Sequence, residues 1–176
     1  MDLVGVVLTH HHADHAGGMI AGHAVAGVAT LLDRVDVPVH VQRAELELVA
    51  TSTGLGTSEF VAHEPGDVVT IGGLALRTLH TPGHTPGSQC LLLGNALLTG
   101  DTLFLDGCGR TDLPGGDPGA LYDSLFRRLA GLEDSTRVLV GHAYARAAEA
   151  TLGELRRRNP VLAPATREDW LARFGS

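Results

Sequence analysis

The chain contains no lysine, and its 13 basic residues are all arginine. We interpret this bias as a property of the genome rather than of the function. Acidic residues outnumber basic ones, which gives a net charge of -7 at pH 7 and a pI near 5.7. A surface with this balance repels phosphate backbones, so the sequence argues against nucleic acid as a partner.

Cysteine is also scarce, since Cys90 and Cys108 are the two present. Two thiols are too few for a disulfide scaffold, which favours a reducing compartment, and we predict the cytoplasm. The first two residues lack the basic start of a signal peptide. Charged residues interrupt the apolar stretch 17–35, so the sequence predicts neither a membrane span nor a membrane partner.

Strand-like and helix-like patterns alternate along the 176 residues, of which 44% are hydrophobic. This length supports a single α/β domain, residues 1–176, with its own core and layered packing. Glycine-containing pairs at 72–73 and 94–95 predict tight hairpin turns. The predicted strands are 3–8, 37–41, 68–71, 74–79, 89–93, 96–99 and 137–140, and the predicted helices are 19–35, 43–50, 117–130 and 145–158.

Potential metal ligands are concentrated in residues 9–15, Thr-His-His-His-Ala-Asp-His, directly after the apolar run 3–8. In an extended segment alternate side chains share a face, so His10, His12 and Asp14 are predicted to point the same way. His15 follows where the chain turns. A polyhistidine tag is the alternative, but tags neither follow a strand nor contain a spaced aspartate. Imidazole and carboxylate together are ligands that zinc, manganese and iron accept.

Three later segments each place one further donor beyond a strand. His84 lies in the rigid loop Thr-Pro-Gly-His-Thr-Pro-Gly-Ser at 81–88, Asp101 follows Leu-Leu-Thr-Gly, and His142 follows Arg-Val-Leu-Val-Gly. Donors that leave strand ends can be gathered at one rim of a sheet, so these residues are predicted to join the first cluster. His23, His40, His63 and His80 lie in no motif and are predicted to be surface or capped residues.

The order Thr-His-x-His-x-Asp-His, Pro-Gly-His-Thr-Pro-Gly, Thr-Gly-Asp and Gly-His resembles the metallo-β-lactamase superfamily over nearly the whole chain. Residues 107–112 and 141–144 look most like its glyoxalase II and persulfide dioxygenase branch. The resemblance implies an αββα sandwich lacking the N-terminal strands, since members have several strands before the first histidine cluster. An incomplete sheet leaves an exposed edge, so we predict weak solubility or association into a homo-oligomer.

The resemblance also implies a centre of two divalent metal ions, with zinc the first choice and manganese or iron the alternatives. The first ion is held by His10, His12 and His84, the second by Asp14, His15 and His142, and Asp101 bridges them. His11 receives no role. Such a pair generates hydroxide at neutral pH, which attacks a carbonyl such as that of a small acyl-thiol substrate.

The predicted catalytic residues are Asp14, Asp101 and Tyr144, the two carboxylates setting the charge of the centre. Tyr144 is predicted to hydrogen-bond substrate or oxyanion, with a half-buried core aromatic as the alternative. Arg110 is predicted to bind a substrate carboxylate, with a structural salt bridge as the equal alternative. Cys108 is interpreted as a small buried thiol rather than a redox group.

Three functions remain open from the sequence. The first is a glyoxalase II-like thioester hydrolase. The second is a persulfide dioxygenase, for which the resemblance implies a single iron held by His10, His84 and Asp101. The third is an inactive metal-binding protein or a flavodiiron-like partner.

Overall fold

The computed structural model describes residues 3–145, 149–164 and 166–175. In chain order the strands are β1 (Val6–Val7), β2 (Gly18–Ile20), β3 (His23–Val25), β4 (Val39–Gln42), β5 (Phe60–His63), β6 (Val68–Ile71), β7 (Leu74–His80), β8 (Gln89–Leu93), β9 (Ala96–Leu98), β10 (Arg137–Leu139) and β11 (Ala150–Thr151). The α-helices are α1 (Ala13–Ala16), α2 (Val28–Leu32), α3 (Leu46–Thr53), α4 (Pro118–Asp123), α5 (Leu152–Arg158) and α6 (Arg167–Phe174).

The first sheet is parallel and has the order β1-β4-β5. Along β4 the apolar Val39 and Val41 alternate with His40 and Gln42, as a strand with two different faces requires. The valines are fully buried in a core shared with α1, α2 and α3. One face of this sheet is therefore covered by helices.

The second sheet has the order β11-β10-β9-β8-β7-β6 and is antiparallel except for the β9–β10 pair. The predicted turns at 72–73 and 94–95 are both present, and their glycines adopt positive φ. Helices α4, α5 and α6 cover this sheet, with Trp170 of α6 fully buried among leucines. The two helix-covered sheets give the layered α/β architecture that the sequence predicted.

The helix predicted over 19–35 is wrong. Residues 18–25 form the β2–β3 hairpin instead, and only Val28–Leu32 is helical. The chain reverses at Ala21 and Gly22, which both adopt positive φ, a conformation that a helix does not allow. A Cβ at Gly17 would lie 2.6 Å from the Gly27 Cα, so the chain also crosses itself closely here.

The C-terminal predictions need similar correction. The predicted helix 145–158 begins only at Leu152, where Thr151 and Glu154 form a capping box. Ala150–Thr151 pairs with β10 instead, and residues 146–148 lie outside the described part. The helix predicted to continue to Ala130 changes at Ser124 into a π-helical turn. Helix α6 was not predicted.

A smaller correction concerns strand length. The strand predicted over 3–8 is regular only at Val6–Val7. Among the described residues, the helices are too short or too polar to cross a bilayer.

Candidate metal centre

Neighbouring strands bring Asp101 and His142 to the same edge of the second sheet. Strands β9 and β10 are parallel, and Leu98 pairs with Leu139. Asp101 and His142 each follow their paired leucine by three residues, so both leave the sheet at one level. The Gly141 N–H donates to the Gly100 carbonyl at 3.2 Å and fixes the two loops together.

The chain changes direction sharply within the first group of histidines, residues 10–15. The sequence predicted an extended segment in which Asp14 shares a face with His10 and His12, and this is wrong for Asp14. Helix α1 begins directly after His12, and the His15 N–H donates back to the His12 carbonyl at 2.9 Å. The helical turn places Asp14 and His15 on the side facing His142.

Three imidazoles form the first cluster: His10, His12 and His84. Their ligand atoms lie within 4.8 Å of one another. His12 Nδ1 and His84 Nε2 are 2.9 Å apart. His84 is held by its other ring nitrogen, since Nδ1 donates to the Arg110 carbonyl at 2.7 Å, which leaves the Nε2 lone pair facing the site.

The second cluster contains Asp14, His15 and His142. His15 Nε2 and His142 Nε2 are 3.1 Å apart, and Asp14 Oδ2 lies 3.3 Å from His142 Nε2. Asp101 Oδ2 lies between the clusters, 3.6 Å from His84 Nε2 and 3.4 Å from His142 Nε2. The structure therefore brings all seven predicted ligands together and places one carboxylate oxygen between the two groups.

The residues present fit divalent metals. His10 is only 1% exposed, yet its Nε2 has no hydrogen-bond partner among the described residues. A buried polar atom without a partner is unfavourable unless something else binds it. Facing pairs of imidazole nitrogens and carboxylates are a donor set that zinc, manganese and iron accept.

Burial and neighbouring charges shift the pKa values of several residues of the centre. Burial, assisted by the nearby imidazoles, lowers the pKa of His10 far below its usual range and that of His12 to about 4. Burial also acts to lower the pKa of His15, but the Asp101 carboxylate outweighs it and raises that pKa overall. Burial opposes ionisation of Asp101, yet His15 and the other imidazoles lower its pKa overall. His10 and His12 are thus neutral at pH 7, the form that binds metal.

The centre opens into a cavity of 780 Å³. Apolar side chains form much of its wall, including Met19 and Ile20 of the β2–β3 hairpin, which are 62% and 44% exposed. The hairpin that replaces the predicted helix therefore forms one lip of the cavity. A volume of this size accommodates a small organic substrate.

The two predicted substrate residues, Arg110 and Tyr144, line the same cavity but differ in their contacts. Arg110 donates to both carboxylate oxygens of Asp112, at 2.6 and 2.5 Å, so the salt-bridge alternative describes its state here. Tyr144 is 73% exposed and stacks on His142, so it is not a core aromatic. Cys108 borders the cavity, and burial raises the pKa of its thiol to about 12.

Sequence reasoning missed Glu45, which is 1% exposed and contacts both ligand-bearing loops. The signal was weak, because Glu45 is one acidic residue among several in the segment around α3. His11, which received no role, is its partner.

Of the histidines outside the motifs, His40 and His63 form a close pair, with His40 Nδ1 and His63 Nε2 2.7 Å apart. Two donors are fewer than the three or four that protein metal sites use.

The sequence of this chain is similar to those of known proteins. A sequence model of the metallo-beta-lactamase superfamily matches residues 1–142. The hydroxyacylglutathione hydrolase of Anaeromyxobacter dehalogenans is 39% identical over 140 residues, covering 80% of this chain and 48% of that protein. The chain thus spans about half the length of that hydrolase.

Two solved structures extend the similarity to the fold. The crystal structure of ETHE1 from Myxococcus xanthus is 33% identical with a TM-score of 0.79, over 100% of this chain and 70% of that one. The structure of TTHA1623 in a di-iron-bound form is 35% identical with a TM-score of 0.68, over 91% and 77% of the two chains. The fold and family predicted from the motifs are confirmed, and the chain belongs to the metallo-beta-lactamase superfamily, whose members bind divalent metals.

Proposed function

We propose that the protein is a dinuclear metallohydrolase that cleaves a small acyl-thiol ester. The observation that carries the proposal is the position of Asp101, whose Oδ2 lies between His84 of one cluster and His142 of the other. A carboxylate in that place suits two adjacent ions rather than one. The first ion would be held by His10, His12 and His84, and the second by Asp14, His15 and His142.

The chemistry of the bound ions would be the supply of hydroxide near neutral pH and the neutralisation of developing oxyanion charge. Asp14 and Asp101 lower the net charge of the centre. Tyr144 lies at the rim with its side chain exposed, where its hydroxyl can reach a substrate oxygen. A thiolate is a good leaving group, so thioester hydrolysis does not require a general acid.

Thioesters are the proposed substrate class because the cavity joins a polar floor to an apolar wall. The similarity to a hydroxyacylglutathione hydrolase supports the same class. Zinc is the proposed metal, and the two free thiols fit the proposed cytoplasmic location.

The direct test is hydrolysis of a hydroxyacyl-glutathione thioester by protein reconstituted with zinc, manganese or iron. We expect turnover with about two equivalents of metal per chain, and loss of turnover after chelation. Asp36→Ala changes an exposed carboxylate away from the centre and serves as the control, with unchanged turnover. Full metal loading without thioester cleavage, across glutathione and simpler thiol carriers, would contradict the proposal.

A second candidate is an iron-dependent persulfide dioxygenase, favoured by the similarity to ETHE1 along the whole chain. It would use His10, His84 and Asp101 on one ion, a set that leaves positions open for oxygen and a thiol. Oxygen uptake with glutathione persulfide separates the two candidates, since a hydrolase consumes none. One iron per chain with persulfide-dependent oxygen uptake would establish the second candidate and exclude the first.

A further inference from the structure

Glu45 is a buried carboxylate between the two loops that carry the first cluster. It ends the short 3₁₀ turn Arg43–Glu45 before α3 and is 1% exposed. Carboxylates are almost never fully buried without compensating partners, because removing the charge from water is unfavourable. The partners of Glu45 therefore indicate why it is there.

Those partners come from two places on the chain. The His11 N–H donates to Oε1 at 2.8 Å, and the His11 ring Nδ1 lies 2.5 Å from the same oxygen. The Thr85 hydroxyl donates to Oε1 at 2.9 Å, and the Gly87 N–H donates to Oε2 at 2.7 Å. One side chain thus accepts from both segments, and hydrogen bonds to an ionised group are among the stronger ones.

Both segments contain ligands of the first cluster. His11 lies between His10 and His12, and Thr85 directly follows His84. His12 Nδ1 and His84 Nε2, one from each segment, approach to 2.9 Å. The carboxylate therefore ties together the two loops whose imidazoles must meet.

Gly87 shows how closely the second loop fits the carboxylate. A Cβ at this position would lie 2.4 Å from Glu45 Oε2 and 2.6 Å from the Glu45 Cβ. No side chain fits there without displacing the loop or the carboxylate. The loop can approach Glu45 this closely only because residue 87 is glycine.

We propose that Glu45, with His11 as its partner, is the positioning residue of the first metal site. The proposal rests on the dinuclear centre of the proposed function but not on the reaction. His11 acts through Glu45 and is not a ligand. Residues that orient metal ligands typically change metal affinity about 10- to 100-fold when they are removed.

The test is metal titration of the full chain with cobalt and zinc, using a competing chelator and following the cobalt absorption bands. Glu45→Gln keeps the shape but directs an amide NH₂ at groups that are themselves donors, namely the backbone N–H of His11 or Gly87. We expect one of the two metal equivalents to bind about 10- to 100-fold more weakly, while the other is unchanged. Glu47→Gln, an exposed glutamate two residues further on, is the matched control and should bind both equivalents normally.

Equal weakening of both equivalents in a folded Glu45→Gln chain would overturn the proposal, and so would wild-type affinity at both. If Glu45→Gln does not fold, His11→Ala removes a single ring partner and should show the same selective loss to a smaller degree. Wild-type affinity at both sites in a folded His11→Ala chain would exclude His11 from the role. Metal binding is measured without substrate, so a protein that binds two ions but cleaves no thioester would refute the proposed function and leave this inference intact.

Discussion

The two halves of the metal centre differ in how far they are enclosed. In the first cluster His10 and His84 are 1% and 3% exposed, and both belong to loops joined by Glu45. In the second cluster the side chains of Asp14, His142 and His15 are 44%, 25% and 14% exposed, while His12 is the one partly buried member of the first. Enclosed ligands are already held in place, whereas exposed ligands lose side-chain freedom when they bind an ion. The first site is therefore expected to be the tighter and the second the more exchangeable.

Removing the residue common to both halves should have the largest effect. Asp101→Ala deletes the carboxylate between the clusters, so we expect hydrolysis to fall by at least about 1000-fold, since an ion contributes several kcal/mol of charge stabilisation. Steady-state thioester kinetics with metal analysis measure this. Turnover within tenfold of wild type would show that the halves do not act through Asp101.

Removing a ligand of only one cluster should show what each half of the centre contributes. Asp14→Ala deletes a ligand of the exposed second cluster, and we expect about one metal equivalent to be retained and hydrolysis to fall by at least about 100-fold. Metal content by mass spectrometry and turnover are measured on the same sample, with Asp36→Ala as control. A one-iron dioxygenase would instead keep its metal and its oxygen uptake in Asp14→Ala.

The sequence predicted which seven residues come together, because each lies in a short local motif after an apolar strand. For His84, Asp101 and His142, the rule that strand ends meet at one rim of a sheet was enough to predict that they lie close together. Glu45 could not be found this way, because its partners lie 34 to 42 residues away and nothing local marks it as buried. The helix prediction over 19–35 failed for a related reason. Its apolar composition suited a helix, but the chain turns back at Ala21 and Gly22, and the base of the hairpin depends on the close approach of Gly17 to Gly27.

Chelation should distinguish the two halves without mutation. A ligand present at 100 times its dissociation constant adds about 2.7 kcal/mol to stability, so removing one ion should lower Tm by about 5–10 °C and removing both by about 10–20 °C. We expect two steps, with the ion of the exposed second cluster lost at lower chelator concentration. Calorimetry along a chelator series, with Asp14→Ala marking the first-cluster step, measures this. Simultaneous loss of both ions would remove the expected difference in affinity.

The smallest effect concerns Cys108, on the cavity wall beside the centre. Burial raises the pKa of its thiol to about 12, so the neutral thiol persists up to that pH, and the reactive thiolate is scarce at pH 8. In the unfolded chain the pKa returns towards 9.0, and the thiolate fraction rises by about 100- to 1000-fold. Alkylation by iodoacetamide at pH 8 should therefore be slow in the native protein and fast in denaturant, with the site identified by peptide mass spectrometry. Rapid native labelling of Cys108 would show that this wall is open to solvent. The next residue, Gly109, packs against the His84 ring, so the first cluster could not then be treated as the more enclosed half.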